Sequence, residues 1–244
     1  MNIGAIKNHT KKILGKKAVK FLKYNIPALS SKSSYSQSGE DVILDSFLGH
    51  KKEGFYVDIG AHDHIDLSNS YKFYKRGWGG IQIEPNYRKI QQFQKYRPGT
   101  ISLNIGVGNR DTANFFIFDL EALSTFSEEE ASHSKSFGHT IVETTTVDIV
   151  PLKEIFKKHL NRKHIDFMSV DTEGYDLEVL RTNDWDLYRP SFIVVETAEY
   201  DKNKFGKKEN DLYDPFMQSI GYTKVADTYL NTIYRDTKHH MIGW

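Results

Sequence analysis

Five polar residues recur where β-rich runs end: Asp58, Glu84, Asn104, Asp171 and Glu196. Such side chains have chemistry available to them. A carboxylate accepts hydroxyl hydrogens, takes a proton as a general base, or ligates a divalent cation. In an open α/β sheet the ligand binds outside the carboxyl ends of the strands, so five polar strand ends on one edge point to a single site. Glu84 has the plainest role. It stands 24 positions after Gly60, close to the roughly 20-residue spacing at which dinucleotide folds place the acid that holds ribose hydroxyls. Gly60 and Ala61 are the small residues of a tight turn, where backbone N–H groups favour a polar or anionic ligand.

The fuller glycine fingerprint of a pyrophosphate site is missing, with His62 and His64 standing in the turn. A D-x-G-A turn followed by a ribose acid therefore fits S-adenosylmethionine, which has no phosphate to cradle. Asp171 is the first choice as a catalytic base, with His62 and His64 second. The pair Asp171 and Glu196 is where a divalent metal would sit. His62-x-His64 has metal-ligand composition but no third ligand in view. Asp171 and Glu173 also suit the start of the helix that follows them, as N-cap and first-turn acid.

These residues need a scaffold of alternating strands and helices. Phe55 to Ile59 and Ile81 to Ile83 are short β-rich runs, and Tyr71 to Arg76 between them is helical, closed by Gly77 and Gly79-Gly80. Glu40 to Leu48 and Tyr87 to Tyr96 read as helices. Further strands are expected at 100–105, 164–170 and 191–196, with a peripheral strand at 113–118 and a β-rich run at 143–148. Helices are expected from Pro151 and over 174–181. The polar stretch Leu123 to His139 reads as a mobile loop, a lid over the site. Tyr200 to Pro215 reads as a charged, acceptor-facing insertion, 216–220 as a helix end, and 222–226 with 231–235 as a closing strand pair.

Three blocks in this order, YSQSGED (35–41), FYVDIGAHDHIDLSNSYKFYKRGWGGIQIEPN (55–86) and FMSVDTEGYDLEVL (167–180), resemble the FkbM-type S-adenosylmethionine-dependent methyltransferases. The resemblance spans roughly residues 35 to 236. It implies a Rossmann-like class I methyltransferase fold: a mostly parallel seven-stranded sheet with an antiparallel closing strand. It also implies a cofactor wall at Asn104 to Val107 and a place for Asp58 near the cofactor's amino-acid end. Taken together, the candidate cofactor-binding residues are Gln37, Glu40, Asp58, Gly60, Ala61, Ser68, Glu84, Pro85, Asn104, Ile105, Gly106, Asp171 and Glu173. Members of the family act on cell-surface glycans, their sugar precursors and natural products, which implies O-methylation of a sugar or glycan acceptor. The rival readings are an NAD-type oxidoreductase acting on a nucleotide sugar and a non-catalytic nucleotide-binding module.

Composition narrows the partners. The 244 residues carry a net charge of +1 and no Cys, which excludes disulfides and thiolate chemistry and gives no support to nucleic-acid binding. The first 39 residues hold eight Lys and no acid, leaving −7 on the rest (+1 minus +8). The sequence thus divides into a basic amphipathic segment, 1–34, and a methyltransferase domain, 35–244. The segment suits peripheral contact with an anionic membrane or a partner. Without a signal peptide or a long apolar run, the protein is expected to be cytoplasmic, either free or at the inner membrane face.

Overall fold

The run Phe55–Ile59 forms β1, and all five of its residues are buried. A parallel strand covered on both faces reads as a near-continuous apolar run, which is why Phe-Tyr-Val-Asp-Ile marks the sheet centre. In the computed structural model, β1 lies between β2 (Gly79–Ile83) and β7 (Phe167–Val170), parallel to both. Beyond β2 lies β3 (Ile101–Leu103). Beyond β7 come β8 (Phe192–Glu196), β12 (Asn231–Asp236) and β11 (Tyr222–Asp227). The order is β11-β12-β8-β7-β1-β2-β3, with β12 antiparallel to both its neighbours. This is the mostly parallel seven-stranded α/β sheet with an antiparallel closing strand expected from the sequence. The structure describes residues 33–238 apart from 162, 202, 203, 209 and 229, and the side chains of 199–201, 204–208 and 210 are outside the description. From Tyr35 onward the described residues form one compact unit. The basic segment 1–34, but for Ser33 and Ser34, lies outside the described residues.

Two apolar layers sandwich the sheet. Val57 and Ile59 turn to one face, in a cluster with Ile155 and Phe156 of α5 (Leu152–His159), Val179 and Leu180 of α6 (Asp176–Arg181) and Met217 of α7 (Asn210–Ser219). Tyr56 turns to the other, with Leu44 and Leu48 of α1 (Glu40–Leu48) and Phe73 of α2 (Tyr71–Tyr74). Each such side chain contributes about 1.5–3 kcal/mol by leaving water. Strand alternation then decides where Asp58 points: with Tyr56, toward α1 and α2. Helix α3 (Tyr87–Tyr96) follows β2 and is capped by Asn86, whose side chain accepts from Arg88 N at 3.0 Å.

Three expectations are corrected. The third strand stops at Leu103 rather than 105. The amide of Asn104 donates to the carbonyl oxygens of Glu84 and Pro85, at 2.9 and 2.8 Å. The chain then leaves the sheet as β4 (Gly106–Val107), which joins β5 (Thr112–Phe118) and β6 (Ile141–Val150) in a separate three-stranded sheet. The stretch read as a mobile loop holds α4 (Glu128–Ser136), started by Ser127 Oγ accepting from Glu130 N at 3.2 Å. Only Ala131 of that helix is buried, so it has no apolar stripe to announce it. The charged insertion is a hairpin of β9 (Ala198–Asp201) and β10 (Lys204–Lys208), running into α7. Among the described residues no helix is long and apolar enough to cross a membrane.

Candidate active site

The carboxyl ends of β1, β2, β7 and β8 open onto one cavity, walled on its far side by residues after β3 and around β5. Its floor is the turn after β1. The N–H groups of Gly60 and Ala61 both donate to Ile83 O, and Asp171 N donates to Ile59 O, so three strand tips are laced together. Gly60 has φ +73°, and a Cβ there would sit 1.6 Å from the carbonyl oxygen of Asp171. Only glycine allows this approach. Among the described residues four non-glycine residues have positive φ, and three of them, His62, Leu67 and Glu173, line the cavity. Backbone strain of this kind gathers at functional sites.

Glu84 stands at the tip of β2, 5% exposed. One carboxylate oxygen accepts from His62 N at 2.8 Å and the other from Asn86 N at 2.7 Å. A carboxylate has about four acceptor positions, so each oxygen keeps capacity for a ligand hydroxyl. Burial pushes the Glu84 carboxyl up to about 7, against the pull of the two N–H donors and the Lys89 ammonium. Lys89 bridges Glu121 at 2.8 Å and lies 3.6 Å from Asp63, joining α3 to the turn after β5. The walls here are apolar, with Ile83, Ile105, Val107, Phe115 and Phe126. That combination fits a nucleoside: an apolar slot for a base and an acid for vicinal hydroxyls.

The other side of the cavity is acidic. Asp171, Glu173 and Glu196 are half-buried, and each offers an oxygen within 4.8 Å of the other two. Burial, neighbouring Asp176 and the other acids push Asp171 up to about 7, and its hydrogen bond with Glu196 pulls the other way. Burial and the Asp171 charge also hold the Glu173 and Glu196 carboxyls well above the ordinary glutamate range. Like charges this close resist ionising together, which is why all three carboxyls are held above their ordinary range. Neither Asp171 nor Glu173 supplies a side-chain cap to α6. Asp176 instead accepts from Thr172 N at 2.9 Å, and burial raises its carboxyl to about 6. Three carboxylates with this spacing can take a proton from a substrate or hold a divalent cation.

Of the residues singled out in the sequence, Gln37, Gly60, His62, Glu84, Pro85, Ile105, Gly106, Asp171, Glu173 and Glu196 line this cavity. His62 is half-buried there, and burial and Lys89 lower its pKa, so the ring is neutral near pH 7. Six others are not among the lining residues. The His64 ring stacks on Tyr96 at 4.7 Å, away from the lining. Asp58, turned toward α2 by the strand pleat, accepts from the Ser70 hydroxyl. Ser68 accepts from Tyr71 N at 3.2 Å and from Arg97 at 2.9 Å. Ala61 packs on Ile90 and Phe93. Asn104 braces the Glu84–Pro85 backbone. Glu40 is fully buried and accepts from Thr228 Oγ1 and Asn231 Nδ2 at 2.7 and 2.9 Å.

Sequence reading missed Asn86, Lys89, Tyr175 and the aromatic wall of Phe115 and Phe126. Asn86 had a signal, being a capping residue two places beyond the ribose acid. The phenylalanines had none, because β5 of the separate sheet carries Phe115 to the cavity and the turn before α4 carries Phe126 there.

Residues 58–224 match the family described as the methyltransferase FkbM domain. No curated protein matches the chain. Among solved structures, a putative caffeoyl-CoA O-methyltransferase from Staphylococcus aureus aligns over 95% of this chain and 99% of its own, at 11% identity and TM-score 0.43. A 1,6-didemethyltoxoflavin N1-methyltransferase from Burkholderia thailandensis aligns over 81% and 76%, at 12% identity and TM-score 0.40. An O-methyltransferase from Bacillus cereus in complex with S-adenosylhomocysteine aligns over 94% and 96%, at 11% identity and TM-score 0.35. The family match covers more than half of the 244 residues and includes the turn after β1, the acid at the tip of β2 and the acidic strand ends beyond them. The chain belongs to the FkbM family of S-adenosylmethionine-dependent methyltransferases.

Proposed function

We propose that the enzyme transfers a methyl group from S-adenosylmethionine to a hydroxyl oxygen of a sugar or glycan acceptor. One observation carries this reading. A single cavity pairs Glu84, whose oxygens keep capacity for two ribose hydroxyls, with the Asp171–Glu196 pair, whose first acid is poised near neutrality. When bound, the sulfonium supplies an electrophilic methyl carbon. Glu84, Ile105 and the Gly60 turn would hold the nucleoside end. Asp171 would take the proton from the acceptor hydroxyl as that oxygen gains the methyl carbon and the carbon–sulfur bond breaks to release the thioether, and His62, at the same cavity, is the alternative base. The acceptor class follows from the family resemblance. The enzyme would act in the cytoplasm, with the basic segment 1–34 as its contact to an anionic membrane or a partner.

A second reading has an observation of its own. Asp171, Glu173 and Glu196 have no ion-pair partner recorded among the described residues, and their spacing suits one divalent cation. Bound there, a cation would acidify the acceptor hydroxyl, and Asp171 would be a ligand rather than the base.

The test is a panel of nucleotide sugars and free glycans assayed for release of S-adenosylhomocysteine, after calorimetric titration of S-adenosylmethionine against NAD. Turnover of one sugar class supports the proposal. Binding of NAD in place of S-adenosylmethionine would sink it.

A further inference from the structure

We infer that the side-chain amide of Asn86 is a second ribose-reading group, donating to a hydroxyl that Glu84 accepts from; the inference rests on the S-adenosylmethionine reading above. Asn86 is 2% exposed and lines the cavity. Its Oδ1 accepts from Arg88 N at 3.0 Å and caps α3. Only the oxygen end of an amide accepts, so this bond fixes which end is nitrogen. That nitrogen, Nδ2, has no hydrogen-bond partner among the described residues. Buried polar groups are overwhelmingly paired, and an orphaned one calls for an explanation. Capping does not provide it, because Ser or Asp caps a helix about as well as Asn and buries no spare donor.

The position of the orphan donor gives the explanation. Asn86 N donates to Glu84 Oε1 at 2.7 Å, which locks the amide residue beside the carboxylate. A ribose hydroxyl that gives its hydrogen to Glu84 has two lone pairs left and no further hydrogen. A neighbouring amide N–H is the complement of that oxygen. Acid and amide then grip one hydroxyl from its two sides, and a sugar lacking it leaves both groups unpaired. The site thus selects a ribonucleoside over its deoxy form by the penalty of buried, unpaired polar groups.

The test is calorimetric titration of the full-length protein and Asn86→Ser with S-adenosylhomocysteine and its 2′-deoxy and 3′-deoxy analogues. Serine keeps the cap but is too short to replace the amide donor, so the melting temperature should stay close to that of the wild type. One lost neutral hydrogen bond corresponds to affinity for S-adenosylhomocysteine weaker by about three- to tenfold. With one of the two deoxy analogues the wild type and variant should agree within about twofold, which identifies the hydroxyl. Asn86→Thr also caps and lacks the amide donor, so it should lose about as much and stands in if the Ser variant folds poorly. Equal affinity of wild type and both variants for S-adenosylhomocysteine overturns the inference while leaving the cofactor reading intact. A loss that persists with both analogues also overturns it. A wild type that binds none of these ligands overturns the cofactor reading and the inference together.

Discussion

The guanidinium of Arg97 donates two hydrogen bonds to the carbonyl oxygen of His64, from Nε at 3.0 Å and Nη2 at 2.7 Å. It also donates to Ser70 Oγ at 2.7 Å, and Ser70 in turn donates to Asp58. Arg97 is 1% exposed and its charge lies over the rings of Phe93, Tyr71 and Tyr74. The end of α3 thereby holds the turn after β1, where a dinucleotide fold would rely on more glycines. Removing one partner of a buried charged network costs about 3–5 kcal/mol. Arg97→Met should therefore lower unfolding free energy by about that amount in urea titrations and weaken S-adenosylhomocysteine binding. Arg97→Lys keeps the charge but not the fork, and should recover stability more than affinity. A Met variant as stable as the wild type would remove this role.

Glu84→Ala should weaken cofactor binding by about 1.5–3 kcal/mol, the range for hydrogen bonds to a charged group. Calorimetric titration measures it directly. An affinity unchanged within about twofold would leave no ribose role for this residue.

Asp171→Asn should lower kcat by at least about 100-fold, the lower bound for general-base contributions. The base works deprotonated, so kcat of the native enzyme should rise with pH through about 7. The residual activity of the Asn variant should lack that rise. A variant with native kcat and an unchanged profile would move the base to His62.

On the base reading, EDTA leaves activity unchanged. Activity lost to EDTA and restored by Mg²⁺ or Mn²⁺ would instead make Asp171, Glu173 and Glu196 cation ligands.

Stability of the ligand-free protein should fall as pH rises from about 5 to about 7.5. Glu84, Asp171 and Asp176 have folded-state values of about 7, 7 and 6, above their ordinary 4.5, 3.8 and 3.8. Between those limits the folded chain binds more protons than the unfolded one. Their contribution is thus complete below the unfolded values and is lost as pH rises through the folded ones. Scanning calorimetry at fixed ionic strength reads this. Glu196→Gln, which removes one of the crowded acids, should flatten the fall, and an equally steep fall would count against mutual repulsion as its cause.

The sheet was legible because its central strands are buried on both faces and so appear as unbroken apolar runs. Glu84 and Asp171 were legible because strand ends are where such a sheet binds ligands. Asp58 satisfied the same rule yet faces the other side, since a strand tip says nothing about which face its last side chains take. Arg97 was invisible: a lone arginine after a polar helix reads as solvated, and only the fold brings His64, Ser68 and Ser70 around it. Helix α4 was hidden by its want of an apolar stripe, although Ser127 and Glu130 mark its start.

Glu40, in the first turn of α1, is held by Thr228 and by Asn231 of β12. The domain's opening helix is therefore clasped by its closing strand. During synthesis α1 leaves the ribosome 191 residues before Asn231, and its acid must wait in water until β12 has been made. The anchoring of α1 therefore waits for β12, and a chain stopped before β12 would lose both that strand and the anchor of the helix.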